Sequence, residues 1–403
     1  MAVAEHTQAP PTSRPGPGPD GMTGLCFAPE EAETHLADWT RLADRAVEPN
    51  PFFRPEFLLP YLARMAPGRG RICVVRRPGD GAFLALMPFC RRRPGLLFPA
   101  LTALVEEYGP LGTPLVAPEA DTATLKTLFA TARKTFGSGP MTLPYQRTDG
   151  PVFDLLQDLA AQDGGHLELD SEQVRAGHAT GPTGQEQYDL VGTSRRREIE
   201  RQLRRLKDLG AVQLTSVDGR QEVLPAFEGF LQLEASGWKG TNGTALASQP
   251  ASLAFARDFI KAQAKAGRVR IDRLTLDGTP IAAMVMLRDG HRIWSWKIAY
   301  DERYARYSPG AQITRYSMRQ DLAEPGLAEA DSLAVPHHPM ITPLWRGTVP
   351  YATVLLARGA LASTRCRLLR FDLAMTRSLR QLAKAGLRRL RAGRGKSGAT
   401  TAT

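Results

Sequence analysis

The sequence predicts an α/β protein built from two similar halves, and three observations carry that expectation. Helical and strand-like patterns alternate along most of the 403 residues. A chain of this length suits two domains at roughly 100–200 residues each. Two Asp-Gly turns, at Gly81 and Gly278, each follow a helical region and each lead into an apolar strand, AFLALMPF and PIAAMVML. Such spacing, about half the chain, suggests a duplicated unit. Asp-Gly turns are common hairpin connections, so two unrelated hairpins are the alternative.

Taken in order, residues 27–65 read as largely helical. Leu36, Trp39, Leu42 and Ala43 share one face, and a loop with Pro51 and Pro55 leads to Phe57, Leu58 and Leu62. Residues 72–75 and 82–89 read as a hairpin around Pro78-Gly79-Asp80-Gly81, with a basic turn at 91–94. A mixed segment around Tyr108-Gly-Pro-Leu-Gly112 precedes a helix over Thr122–Phe136, and strand and loop material continues to Tyr188. In the second half, Ser194 can cap a helix that stops at Gly210, with Ile199, Leu203 and Leu206 on one face among many arginines. Helices over 224–235 and 251–266 follow. Strands over Val269–Leu276, 281–287 and Arg292–Tyr300 are joined by turns at Asp277-Gly278 and Asp289-Gly290. Boundaries fall at 1–24 (a disordered Pro/Gly-rich tail), 25–190, 191–350, and 351–403 (a basic helical tail).

Composition excludes several classes. Hydrophobic residues are 42% and charged residues 23%, enough for a buried core. No apolar run reaches the ~18–20 residues of a spanning helix, and the start lacks a secretory pattern. Cys26, Cys73, Cys90 and Cys366 have no metal-site spacing and read as reduced, mostly core-filling thiols of a cytoplasmic protein. The Asn242-Gly-Thr sequon then carries no meaning.

The formal charge of +11 is a property of the tail. Eleven Lys or Arg and one acid, Asp372, lie from Ser363 onward, so the rest is nearly neutral and no DNA partner is expected. In that tail Leu368, Leu369, Phe371, Leu379, Leu382, Leu387 and Leu390 recur at helical spacing. Such a helix could contact a membrane surface or a polyanion. Alternatively, it packs its apolar stripe on the body. Gly395-Lys-Ser imitates part of a phosphate loop, but its first glycine is missing and no strand precedes it.

The most informative stretch runs WSWKIAYDERYARYSPG, residues 294–310, followed by AQITRYSMRQDL. A strand ends, a loop crosses, Ser308-Pro-Gly310 turns, and a helix begins near Ala311. A helix start presents unpaired N–H groups and suits a pyrophosphate. Before it lies EASGWKGTNGTAL (234–246), and after it ADSLAVPHHPMITPLW (330–345). In this order the chain resembles the CelD-like (BcsL-like) branch of the Gcn5-related N-acetyltransferase (GNAT) superfamily, related to the Fem-type aminoacyl transferases. The resemblance covers roughly Ser194 to Trp345 well and the first half more loosely.

The resemblance implies two GNAT-like halves, each a mixed, mostly antiparallel sheet flanked by helices. It also implies acyl transfer from acetyl-CoA or another acyl-CoA, without metal, to an amine or hydroxyl of a small-molecule or glycan acceptor, in cellulose or exopolysaccharide biosynthesis. Ser308, Gly310, Ala311 and Gln312 occupy the place of the pyrophosphate loop, though the full Gln/Arg-x-x-Gly-x-Gly/Ala pattern is missing. Candidates for proton transfer are Glu234, Asp331, His337, His338 and Tyr316, with Asp331 placed to orient one of the histidines. Tyr304 and Tyr307 are further phenols. Trp238, Lys239, Trp296 and Lys297 are candidates for the acceptor site, joined by Trp345. On a regular strand Trp296 and Lys297 face opposite ways, so one of them should line the cleft. The arginine-rich helix near 195–207 could hold an anion or be a solvated surface. Two other readings remain: an aminoacyl-tRNA-dependent transferase, which needs a large basic body surface, and a non-catalytic partner in a polysaccharide-synthesis complex. The expected location is cytoplasmic, peripheral to the inner membrane.

Overall fold

A computed structural model describes residues 13–17, 21–162 and 164–397, with side chains for 21–162 and 164–385. The first half runs β1 (Ser13–Pro17), β2 (Thr23–Phe27), α1 (Leu36–Arg45), α2 (Pro55–Arg64), β3 (Arg71–Arg76), β4 (Phe83–Arg92), β5 (Ala100–Ala103), β6 (Leu115–Val116), α3 (Thr122–Phe136), β7 (Met141–Arg147), α4 (Pro151–Gln162) and β8 (Gly165–Ala179). The second half runs α5 (Gly181–Asp189), α6 (Thr193–Lys207), β9 (Val212–Val217), α7 (Arg220–Ser236), α8 (Trp238–Thr241), α9 (Pro250–Lys265), β10 (Val269–Leu276), β11 (Thr279–Asp289), β12 (Arg292–Tyr300), α10 (Pro309–Ala323), β13 (Glu329–Asp331), β14 (Gly347–Arg358) and α11 (Ala362–Ser397).

The fold class is as expected: a mixed, mostly antiparallel sheet flanked by helices. One path, β1-β2-β3-β4-β5-β7-β14-β8-β13-β12-β11-β10-β9, passes through both halves, with β6 attached to β4. Each half repeats one order: a strand, helices, a hairpin, a third strand, a crossover helix and a parallel strand. The parallel pairs are β5 with β7 and β12 with β13. The last strands are exchanged. β8, from the first half, pairs with β13, and β14, from the second, pairs with β7. The two exchanged strands pair with each other over most of their length.

Three expectations need correction. Cys26 and Cys73 are directly opposed on β2 and β3 and form a disulfide; only Cys90 and Cys366 are free among the described residues. Residues 13–17, assigned to a disordered tail, pair with β2 as β1; residues 1–12 lie outside the described residues. The segment from 351, read as helical, begins inside β14, a central strand buried along most of its length. Its strand state depends on β7 and β8, not on local pattern.

Aromatic side chains weld the halves. Phe57 and Tyr61 of α2 meet Phe255 and Phe259 of α9 edge to face, at 5.0 to 5.5 Å between centroids. Phe259 in turn meets Trp296 of β12 at 5.0 Å. Buried ion pairs cross the same seam: Arg54 with Asp289, and Arg175 with Asp331. No helix among the described residues is long and apolar enough to cross a membrane.

Candidate active site

The site follows from how β12 and β13 part. They pair through three residues, Arg292 with Glu329, Ile293 with Ala330 and Trp294 with Asp331. After Asp331 the chain turns away: Leu333 N–H donates to the Asp331 carboxylate at 2.9 Å, and Leu333 itself is left-handed. β12 continues to Tyr300, paired among the described residues with β11 alone. The free edge of β12 is one wall of a cleft with about 480 Å³ of empty volume, partly open to solvent. The end of α7 with α8 supplies a second wall, and the loop carrying His338 and Met340 a third.

Glu234, Trp238, Lys239 and His338 all line this cleft. Glu234 is buried and both its oxygens are engaged. Lys239 Nζ donates to Oε1 at 2.9 Å, and Leu246 N–H donates to Oε2 at 2.8 Å. Its expected part in proton transfer therefore gives way to a holding one: it ties the WKG turn to the GTAL turn. Lys239 Nζ also donates to the Ile298 carbonyl on the free edge of β12, at 3.2 Å. Trp238 is 55% exposed, and its backbone N–H donates to Glu302 Oε1 at 2.9 Å.

His338 is half-buried, and its Nδ1 is buried with no hydrogen-bond partner among the described residues. Burial first, and then the Lys239 charge, push its pKa below the ordinary value of 6.5. The imidazole therefore stays neutral near pH 7, with a ring nitrogen available as a base. His337 beside it is exposed and left-handed.

Asp331 does not orient either histidine. Its carboxylate forms a fork with Arg175, at 2.6 and 2.5 Å, buried on both sides. Tyr316 lies elsewhere as well, its hydroxyl 3.3 Å from Ser216 Oγ, next to the buried Asp272. Trp345 is buried against His178 rather than walling a cleft. Tyr304 and Tyr307 pack into the core of the second half.

A bulge corrects the strand geometry. Val285 pairs with Lys297 but Met286 pairs with Ser295, so Trp296 is the extra residue. Trp296 and Lys297 thus lie on one side instead of opposite sides. Trp296 Nε1 donates to the Tyr108 carbonyl at 2.7 Å, and Lys297 Nζ sits 5.1 Å from the Tyr108 ring centroid and 5.9 Å from that of Trp296. Burial lowers the Lys297 pKa, and Glu234 counters it. Tyr108, on a loop of the first half, was not legible as a site residue; the mixed Tyr-Gly-Pro segment was its only trace.

The first turn of α10 abuts the cleft. Gly310 is buried, and a Cβ there would collide with Met340 Sδ and meet Tyr300 at 3.4 Å. Ser308 precedes the helix in a left-handed conformation with no side-chain cap. Ala311 is buried, and Gln312 Nε2 donates to the Ile199 carbonyl of α6 at 2.7 Å, so that side chain fastens two helices. No His/Cys/Asp/Glu group suited to a metal occurs among the described residues.

Residues 193–337 match the family described as the acetyltransferase (GNAT) domain. No curated protein matches. Among solved structures, FemX is similar with a TM-score of 0.54 at 11% identity, covering 83% of this chain and 98% of that one. A protein of unknown function from Bacteroides thetaiotaomicron gives 0.53 at 12%, covering 80% and 97%. The C-terminal domain (DUF2156) of a protein described as a lysylphosphatidylglycerol synthetase, from Agrobacterium fabrum, gives 0.53 at 12%, covering 85% and 97%. At these identities the likeness shows the fold alone. Residues 193–337 are thus similar to the acetyltransferase (GNAT) domain, and the chain shares its fold with FemX.

Proposed function

We propose that the protein is an acyl-CoA-dependent acyltransferase acting on an amine or hydroxyl of a small-molecule or glycan acceptor, with His338 as general base. The observation that carries this reading is His338 on the wall of the cleft beside the free edge of β12, its ring kept in the neutral form by burial and the Lys239 charge. The acceptor gives its proton to His338 as its nitrogen or oxygen attacks the thioester carbonyl. The new bond forms, the C–S bond breaks, and the thiolate departs to take up a proton. Free backbone N–H groups of β12 polarise the carbonyl, and the uncapped start of α10 faces the donor's pyrophosphate. Lys239, held by Glu234, keeps its charge near the imidazole and favours the neutral form.

Within the superfamily we assign the chain to the CelD-like (BcsL-like) branch, with a role in cellulose or exopolysaccharide biosynthesis. Support comes from the motifs themselves: the WKG and GTAL turns are joined through Glu234, Lys239 and Leu246. The test is calorimetric titration of acetyl-CoA and longer acyl-CoAs into the full chain and into Gly310→Asp, with folding checked by circular dichroism. Binding that the variant loses is expected. A folded protein that binds no acyl-CoA overturns the proposal and directs the search to aminoacyl-tRNA and then to protein partners.

A further inference from the structure

The basic C-terminal helix buries a different stripe from the one its leucines trace. Ala362, Cys366, Leu369, Asp372 and Thr376 of α11 are buried against the body. Leu361, Leu368, Phe371, Leu379 and Leu382 are exposed, Phe371 by 65% and Leu382 by 69%. At 3.6 residues per turn the four of these on α11 fall within an arc of about 80°, centred about 120° round from the buried stripe, and Leu361 lies just before the helix. The body extends this apolar face. Asp372 accepts the N–H groups of Leu96, Leu97 and Phe98 at 2.9 to 3.2 Å, which fixes that loop beside α11. Leu96 and Leu97 are themselves about half exposed.

The surroundings are cationic. Arg365 and Arg367 are exposed on α11 and flank the apolar face, each about 80° from its centre. Arg365 also borders an open cavity lined by Arg133, Lys134 and Arg358, with no acid among its described lining residues. Arg133 is half-buried and has no acidic partner among the described residues; burial and the Arg358 charge both disfavour its charged form. A group of cations so placed is stabilised by an external anion.

We propose that this face of α11, together with the Leu96–Leu97 loop, docks the protein on an anionic bilayer. The leucines and Phe371 enter the acyl boundary, and the arginines, including those of the cavity, meet lipid phosphates. Charge complementarity selects this occupant. A second copy of the same face would set its flanking Arg365 and Arg367 against their equals.

The test is co-sedimentation of the full chain with vesicles of phosphatidylglycerol and phosphatidylcholine, beside pure phosphatidylcholine. Binding to the anionic vesicles alone, weakened by salt, is expected. The exposed triple variant Leu368→Ser, Phe371→Ser, Leu382→Ser should bind about tenfold more weakly. Arg365→Glu with Arg367→Glu should weaken it comparably, and both variants should keep the wild-type circular dichroism spectrum. No binding to anionic vesicles, or equal binding by the triple variant, overturns the proposal. A wild-type dimer that the triple variant converts to monomer in sedimentation equilibrium also overturns it, placing a second copy on this face.

Discussion

The two halves share one order of elements and differ where a ligand would sit. In the first half, β5 runs parallel to β7 through the crossover helix α3; in the second, β12 runs parallel to β13 through α10. Beyond β5 the gap is filled. Leu104, Val105 and Leu111 are buried there, Leu104 N–H donates to the Pro88 carbonyl at 2.9 Å, and Gly109 is tucked against the Phe52 ring. Beyond β12 the gap stays open, with a bulge at its edge. The helix starts differ in the same sense. Asp121 caps α3 with its own carboxylate, accepting from Thr124 N–H at 2.9 Å, whereas α10 begins at Ser308 with no side-chain cap. A repeated frame therefore serves two ends: one copy is closed by apolar side chains and an internal anion, the other is left able to receive an external one. The closed half still contributes, because its filled loop carries Tyr108 to Trp296 and Lys297.

The largest expected effect tests how the halves are joined. Arg175 on β8 and Asp331 on β13 form a buried fork across the exchanged strands. Arg175→Ala leaves a buried carboxylate unpaired and should cost about 3–5 kcal/mol in urea unfolding. The double variant Arg175→Met, Asp331→Leu should recover most of that loss, since a well-packed apolar pair can replace a buried ion pair. If the single variant unfolds at the wild-type urea concentration, the fork does not hold the halves together.

Next comes the open cleft. His338→Gln should lower kcat/KM by about 10²–10⁴-fold while leaving the melting temperature nearly unchanged. The wild-type pH profile adds a sign. Because burial and Lys239 lower the His338 pKa below 6.5, the base stays unprotonated down to that lowered value. The acid limb of kcat/KM should therefore fall below pH 6.5, and it should vanish in His338→Gln. An acid limb above 6.5 would assign the base to another group.

Sequence pattern reached those elements whose cause is local. The hairpins β3–β4 and β10–β11–β12 were legible because Asp-Gly turns and apolar alternation specify them. Glu234, Trp238, Lys239 and His338 were legible as neighbours only through motif order, and the cleft does gather them. What was missed depends on distant pairing. β14 is a strand because β7 and β8 flank it. Lys297 turns to the Tyr108 side because the β11 register inserts Trp296 as a bulge. The Cys26–Cys73 bond joins residues 47 positions apart, opposed only once β2 and β3 pair. Likewise the body chooses which stripe of α11 it covers, and it covers the one containing Asp372 rather than the one richest in exposed leucine.

The smallest expected effect separates the two helix starts most cleanly. Asp121→Ala removes the carboxylate that caps α3. An N-cap of this kind is worth about 1 kcal/mol, so a modest fall in melting temperature should follow. Acyl-CoA affinity should not change, because the first-half gap stays filled by Leu104, Val105 and Leu111 whatever the cap does. Gly310→Asp reverses the pattern: it places a side chain, and a charge, at the start of α10, so donor binding should fall. Stability at that position is set by a different matter, the collision of any Cβ with Met340. Gly310→Ala therefore belongs beside Gly310→Asp, since it brings the collision without the charge. If Gly310→Ala lost binding as fully as Gly310→Asp, steric displacement of Met340 would explain both, and the charge at the helix start would not distinguish the halves. If Asp121→Ala also weakened acyl-CoA binding, the donor would reach the first half, and the division into a closed and an open copy would fail.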